Sequence, residues 1–256
     1  MKITVLGSGT SQGIPVIACE CEVCQSDDPK DSRLRSSILV EYKGTNYAVD
    51  SGPDFRQQML QNKVKTLSGI IFTHEHKDHV AGLDDVRAFN YKEGRDMDLY
   101  CDERVEAKLK IEFAYAFTEH KHGGVPKLNL IPITNEPFEL ENGLKVIPIE
   151  VMHFRLPVLG FRFGDFTYIT DAKTIAPAEL DKVRGTKVLI VNALRKEEHI
   201  SHLNLEEALA FIDEVKPERA YLTHISHLFG RHDDIQKLLP ANVFPAYDGM
   251  TIEFND

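Results

Sequence analysis

One stretch constrains this chain more than any other: Ile70-Ile71-Phe72-Thr73-His74-Glu75-His76-Lys77-Asp78-His79. An apolar run of strand type leads straight into three imidazoles and a carboxylate. On an extended backbone His74 and His76 project to one side, because side chains alternate with period two. Asp78 and His79 then fall at the turn into a helix and face a second point. Imidazole plus carboxylate is a donor set for zinc, manganese or iron. Two ions are within reach of these side chains if other segments complete their shells.

Candidates for those segments occur where strands end. Asp50 follows Tyr47-Ala48-Val49, His153 follows Ile149-Glu150-Val151-Met152, Asp171 follows Tyr168-Ile169-Thr170, and His224 follows Tyr221-Leu222-Thr223. Strand ends along one sheet edge are where α/β proteins gather ligands. Singly each is weak, since a strand-end Asp also caps helices and forms turns. Together they describe one site.

The surrounding pattern is mixed. Strands are expected at Lys2–Leu6, Ser37–Tyr42, Asn46–Val49, Gly69–Phe72, Leu144–Ile149, Leu159–Phe163, Phe166–Ile169, Val188–Val191 and Arg219–Leu222, with hairpin turns at Lys43-Gly44-Thr45 and Gly164-Asp165. Leu205–Val215 is helical, with Leu205, Ala208, Leu209, Ile212 and Val215 on one face and Asn204 as N-cap. Further helices are expected at Asp54–Gln61, Val80–Phe89, Glu103–Phe117, Ala176–Val183 and Asp233–Leu239. This is layered α/β with mixed sheets. No repeat or linker divides residues 1–256, so a single domain is expected, with 90–130 as a pocket-shaping insertion.

Charge narrows the partners. Thirty basic against forty acidic side chains leave −10, which argues against adhesion to nucleic acid or anionic membrane. The segment Met1–Leu6 reaches Gly7-Ser8-Gly9 too early for a signal peptide. No apolar run approaches the ~20 residues of a membrane span. A soluble, cytoplasmic chain is expected. Of its four cysteines, three crowd into Cys19-Glu20-Cys21-Glu22-Val23-Cys24 and Cys101 stands alone as a buried or semi-buried thiol. Clustered thiols read as metal ligands, with a redox-sensitive or surface cluster as the alternative.

Thr73-His74-x-His76-x-Asp78-His79, with His153, Asp171 and His224, resembles the metallo-β-lactamase-fold hydrolase superfamily from Gly7-Ser8-Gly9-Thr10 to Tyr247-Asp248-Gly249-Met250. The resemblance implies an α/β fold of four-layer αββα type with a binuclear site of manganese or zinc. By that likeness His74, His76 and His153 hold one ion and Asp78, His79 and His224 the other. Asp171 bridges them, and Asp50 orients the His-rich loop through hydrogen bonds. Asp171 stands where some lactamases carry cysteine, and His76 where flavodiiron oxidoreductases carry glutamate; both branches are disfavoured.

The cysteine loop closely resembles that of the phosphonate-pathway cyclic phosphodiesterases, the PhnP-like branch. That likeness makes Cys19, Cys21, Cys24 and His227 a structural zinc site, a Cys₃His set that zinc accepts. It also places His202 as general acid, with His199 the competitor. A loop histidine exposed to solvent is the bland alternative.

The expected activity is hydrolysis of a small cyclic phosphate or nucleotide-like phosphodiester by a metal-bridging hydroxide, and family likeness implies a homodimer. The alternatives are a tRNA 3′-processing endonuclease, a glyoxalase-type thioester hydrolase, and a non-catalytic metal-binding accessory protein of cofactor biosynthesis. Arg33 and Arg35, and His120 and His122, are open as substrate contacts or plain surface residues. His232 is read as surface.

Overall fold

A computed structural model of the chain describes residues 1–118 and 123–254. His120 and His122 therefore lie outside the described residues. Two compact units are present, each with its own sheet and core: Met1–Leu6, Ser37–Thr134 and Gly249–Asp256 in the first, and Gly7–Ser36 and Asn135–Asp248 in the second.

In the first unit β1 (Lys2–Gly7), β2 (Ser37–Tyr42), β3 (Thr45–Val49), β4 (Gly69–Ile71), β5 (Met97–Cys101) and β6 (Leu128–Pro132) lie side by side in that order. The C-terminal strand Thr251–Glu253 pairs antiparallel with β1. Lys43 and Gly44, at φ 49° and 77°, make the tight turn between β2 and β3, as the sequence predicts. From β3 to β6 every pairing is parallel. Helices α1 (Phe55–Gln61), α2 (Lys77–Val80), α3 (Arg87–Glu93) and α4 (Glu103–Glu112) follow the strands. Leu6, Leu39, Ala48, Ile70 and Leu99 of the sheet share a core with Phe55, Met59, Phe89, Val105 and Leu109 of the helices. Each of these side chains other than Ala48 contributes about 1.5–3 kcal/mol on burial.

The second unit contains β7 (Phe138–Glu139), β8 (Lys145–His153), β9 (Leu156–Phe163), β10 (Phe166–Ile169), β11 (Thr174–Ile175), β12 (Val188–Asn192), β13 (Arg219–Thr223) and β14 (Val243–Pro245). Their order is β11-β8-β9-β10-β12-β13-β14, with β7 on β8. β9 runs antiparallel to both β8 and β10, while β10, β12, β13 and β14 are mutually parallel. So β8, β10, β12 and β13 all finish at the same edge. Helices α5 (Pro177–Val183), α6 (Leu205–Val215) and α7 (His232–Gln236) complete the unit. Ile169, Leu189, Val191 and Leu222 meet Leu180, Ala208, Ile212 and Ile235 in its core.

α6 spans the predicted residues, and its start is a full capping box. The Asn204 side chain accepts from the Glu207 N–H, and the Glu207 carboxylate accepts from the Asn204 N–H. Other elements differ from expectation. The helix expected over Val80–Phe89 is broken into α2, a 3₁₀ turn at Leu83–Val86, and α3. Gly82 lies at the break, packed so closely that a Cβ there would sit 2.0 Å from the Gly52 carbonyl oxygen. α4 stops at Glu112, because Phe113 leaves helical geometry (φ −113°, ψ 35°) as its ring enters the core. Residues 90–130, read as an insertion, supply β5, α4 and most of β6 to the sheet. Among the described residues no helix is long and apolar enough to cross a membrane.

Candidate metal-binding sites

In the first unit, parallel register sets the His-rich stretch beside the end of β3. Val49 pairs with Ile71, so Asp50 and Thr73 leave adjacent strands together. The Asp50 carboxylate accepts from the Thr73 N–H (2.8 Å), the Thr73 hydroxyl (2.8 Å) and His79 Nδ1 (2.7 Å). Asp50 is completely buried. Burial pushes its carboxyl above the usual carboxylate range, while His79 and the Thr73 donors pull the other way. Because the Thr73 hydroxyl proton goes to Asp50, its oxygen accepts from His74 Nδ1 at 3.0 Å. The proton of each ring thus sits on Nδ1, and Nε2 of His74 and His79 carries the lone pair a cation needs.

His74 Nε2 lies 3.0 Å from His76 Nδ1. Two imidazole nitrogens on one zinc, each at about 2.0–2.1 Å, stand about 3–3.4 Å apart, so this spacing fits a shared ion. His79 Nε2 is 3.2 Å from Asp78 Oδ2. The two intervening residues face α4, where Glu75 meets Arg104 at 3.6 Å and Lys77 meets Glu112 at 2.7 Å. Backbone contact holds α2 against the loop after β3: Ser51 N–H donates to the His79 carbonyl, and Gly82 N–H to the Ser51 carbonyl, both at 2.8 Å. Gly52 permits this approach, since a Cβ there would fall 2.0 Å from the Asp78 carbonyl oxygen.

The second unit assembles its donors from separated strands. His153 ends β8, Asp171 lies two residues beyond β10, and His224 lies one beyond β13. Donor atoms of His153, Asp171 and His202 lie within 4.8 Å of one another. His153 Nδ1 donates to the Ser201 carbonyl at 2.9 Å, which leaves the lone pair on Nε2. His202 Nε2 is 3.1 Å from Asp171 Oδ1, and its other nitrogen meets the Ser201 hydroxyl (3.0 Å) and His199 Nδ1 (3.1 Å). Burial and the neighbouring His202 hold the His199 pKa below its ordinary value. The second carboxylate oxygen of Asp171 accepts from the Thr170 hydroxyl at 2.6 Å, and His224 Nδ1 lies 3.4 Å from it. The His202 ring stacks on that of His224, 4.9 Å between centroids.

Asp50, Asp171 and His224 share a backbone feature. All three adopt left-handed conformations, with φ of 67°, 58° and 57°. That region costs a non-glycine residue roughly 1–2 kcal/mol, and such strain concentrates at functional sites. Here it sharply bends the chain where the strand stops.

A third group, also in the second unit, is the thiol cluster. Sγ of Cys19, Cys21 and Cys24 lies 3.3, 3.4 and 3.6 Å from His227 Nδ1. Tetrahedral zinc, with about 2.3 Å to sulfur and 2.0–2.1 Å to nitrogen, sets those atoms about 3.6 Å apart. The four donors therefore fit one zinc. The Cys24 N–H pulls the Cys21 thiol down to about 6, whereas burial pushes Cys24 up to about 11. His224 and His227 sit on one loop anchored by Ile225, whose N–H donates to the Ser8 carbonyl and whose carbonyl accepts from Thr10 N–H.

Two residues lie elsewhere than the sequence suggests. Arg33, read as a phosphate contact or a solvated arginine, is 2% exposed. Its guanidinium donates to the Ser8 hydroxyl, the Ala246 carbonyl and His232 Nδ1. His232, read as surface, is buried with it, and burial beside that cation lowers its pKa to about 4. Arg35 donates to the Ser11 carbonyl, and Cys101 is buried as expected. Sequence reasoning missed Ser36, Thr170 and Ser201, the groups that orient His224, Asp171, His153 and His202. Only their place next to a ligand-type residue or inside a strand-end loop hints at them.

Comparison with known proteins agrees with this geometry. Residues 45–225 match the family described as the β-lactamase superfamily domain. The chain belongs to the metallo-β-lactamase superfamily. A solved diphosphatase of the PhnP family is 39% identical, with a TM-score of 0.92 over 99% of this chain and 96% of that one. Zinc-bound PqqB from Methylobacterium extorquens has the same fold at 21% identity, with a TM-score of 0.83 over 99% and 100% of the two chains. An octanoyltransferase of Porphyromonas gingivalis is 36% identical over 253 residues, 98% of this chain and 51% of that protein. The chain spans about half the length of the curated relatives it matches. The expected α/β metallo-β-lactamase fold is thus borne out across nearly the whole chain, together with its likeness to the PhnP-like branch.

Proposed function

We propose that this superfamily member is a metal-dependent phosphodiesterase acting on a small cyclic phosphate, diphosphate or nucleotide-like ester. His74, His76, Asp78, His79, His153, Asp171 and His224 would hold a pair of divalent cations, zinc or manganese, as the family resemblance implies. Cys19, Cys21, Cys24 and His227 would hold a structural zinc. When bound, the catalytic cations supply acidity to a water and offset charge on phosphoryl oxygens.

The protein's own contribution is orientation and a proton. Asp50, through Thr73 and His79, fixes which nitrogen each imidazole offers. Ser201 does the same for His153 through its carbonyl and grips His202 through its hydroxyl. His202, buried beside Asp171, is the general acid: its Nε2 proton passes to the oxygen that leaves phosphorus.

One observation carries the reading: nitrogen and carboxylate donors at strand ends, in a chain 39% identical to a PhnP-family diphosphatase over nearly its full length. Octanoyl transfer is named for a protein about twice as long and is not carried across. The test is an assay of manganese- and zinc-loaded protein on bis-p-nitrophenyl phosphate, 2′,3′-cyclic nucleotides, a nucleoside diphosphate ester, pre-tRNA and a glutathione thioester. Turnover of one of the small phosphate esters is expected. Turnover of pre-tRNA alone, of the thioester alone, or of nothing would overturn the proposal in favour of the endonuclease, thioesterase or accessory reading respectively.

A further inference from the structure

The first unit has a cavity of about 390 Å³ between α1 and α3, lined by none of the residues proposed above to hold a metal. Its floor is apolar: Phe55, Met59, Val64 and Phe89, with Phe55 and Phe89 edge to face at 6.4 Å. Leu60, 58% exposed, stands at its wall. Four cations surround that floor, Arg56, Lys63, Lys65 and Lys92, against one lining carboxylate, Asp85.

In a chain of net charge −10 this local excess runs against the average. Many cations elsewhere pair with carboxylates, as Lys77 does with Glu112, Lys173 with Glu207 and Lys237 with Asp234. Among the described residues, none of the four around the cavity has an ion pair; Lys92 Nζ instead donates to the Lys65 carbonyl at 2.5 Å. Lys63 also holds a left-handed backbone (φ 53°) just past α1, where glycine would be cheaper. A more polar depression holding Lys2, Asn46 and Glu41 continues from Lys63 and Lys65, so these two lysines line both.

We propose that this cavity binds a small amphiphilic anion, with an apolar tail on Phe55, Met59 and Phe89 and an anionic head at Lys63 and Lys65. Its size falls within the range of small-molecule pockets, which are mostly apolar with a few placed polar groups. The inference is independent of the hydrolase reading, since it uses none of that site's residues.

Decanoate is the probe, used as monomer and followed by calorimetry and by the NMR shifts of the Met59 and Ala88 methyl groups. Saturable binding is expected, at least tenfold tighter than for acetate, which lacks the tail, or decyltrimethylammonium, which reverses the head. The double variant Lys63→Glu, Lys65→Glu should weaken decanoate at least tenfold. Lys63→Gly should weaken it several-fold without lowering the thermal midpoint, because it removes charge and strain together. Equal affinity for decyltrimethylammonium would overturn the proposal. So would unchanged affinity in the double variant, or adsorption to phosphatidylglycerol vesicles without binding of monomeric decanoate.

Discussion

The two units reach similar chemistry by opposite routes. The first takes its imidazoles from one six-residue run, His74 to His79, and needs only β3 and α4 to brace it. The second draws His153, Asp171, His202 and His224 from positions up to 71 residues apart, and only the common direction of β8, β10 and β13 brings their ends to one edge. A contiguous site is robust to changes in topology but depends on tight local backbone packing. A dispersed one depends on sheet register and on the hydrogen bonds that aim each ring. Mutations should therefore fail differently in the two units.

The largest effect is expected in the dispersed set. His202→Ala should lower phosphodiester turnover about 10²–10⁴-fold with metal content unchanged. Loss of metal instead would make His202 a ligand, a role its grouping with His153 and Asp171 also allows. In the contiguous set the sensitive point is backbone. Gly52→Ala places a methyl 2.0 Å from the Asp78 carbonyl oxygen, and chemical denaturation should show a loss of about 3 kcal/mol or more. A loss under 1 kcal/mol would mean that the loop after β3 does not brace α2.

Asp50→Asn removes the charge that orients His79 while keeping the shape. Metal affinity should fall about 10–100-fold, measured by competition with a chromophoric chelator. The smallest effect belongs to a residue outside the donor set: Asn204→Ala should cost about 1 kcal/mol through the lost cap of α6, with turnover nearly intact. A large drop in turnover there would show that α6 positions His202 more tightly than its two-residue separation suggests.

The same contrast governs what the sequence reveals. His74, His76, Asp78 and His79 declare themselves through spacing alone, and α6 through a 3.6-residue apolar period with Asn204 before it. His153, Asp171 and His224 are visible only as polar residues after apolar strands, and nothing local says which strands share a direction. β5 and β6 escape detection because Asp98 and Asn129 interrupt short apolar runs and Pro132 ends one of them. Arg33 and His232 look like surface residues, since the groups that let a guanidinium be buried, Ser8, Ala246 and the nearby Asp248, come from both ends of the chain. Burial of charge is a tertiary property, and composition carries no trace of it.

The most direct test of the account is metal stoichiometry by mass spectrometry of purified protein saturated with zinc and then dialysed. About three zinc ions per chain are predicted, two on the imidazole and carboxylate donors and one on the thiolates. In Cys21→Ser the count should drop by one while the imidazole-bound ions remain. A wild-type protein that retains no zinc, or a Cys21→Ser variant with an unchanged count, would contradict the assignment.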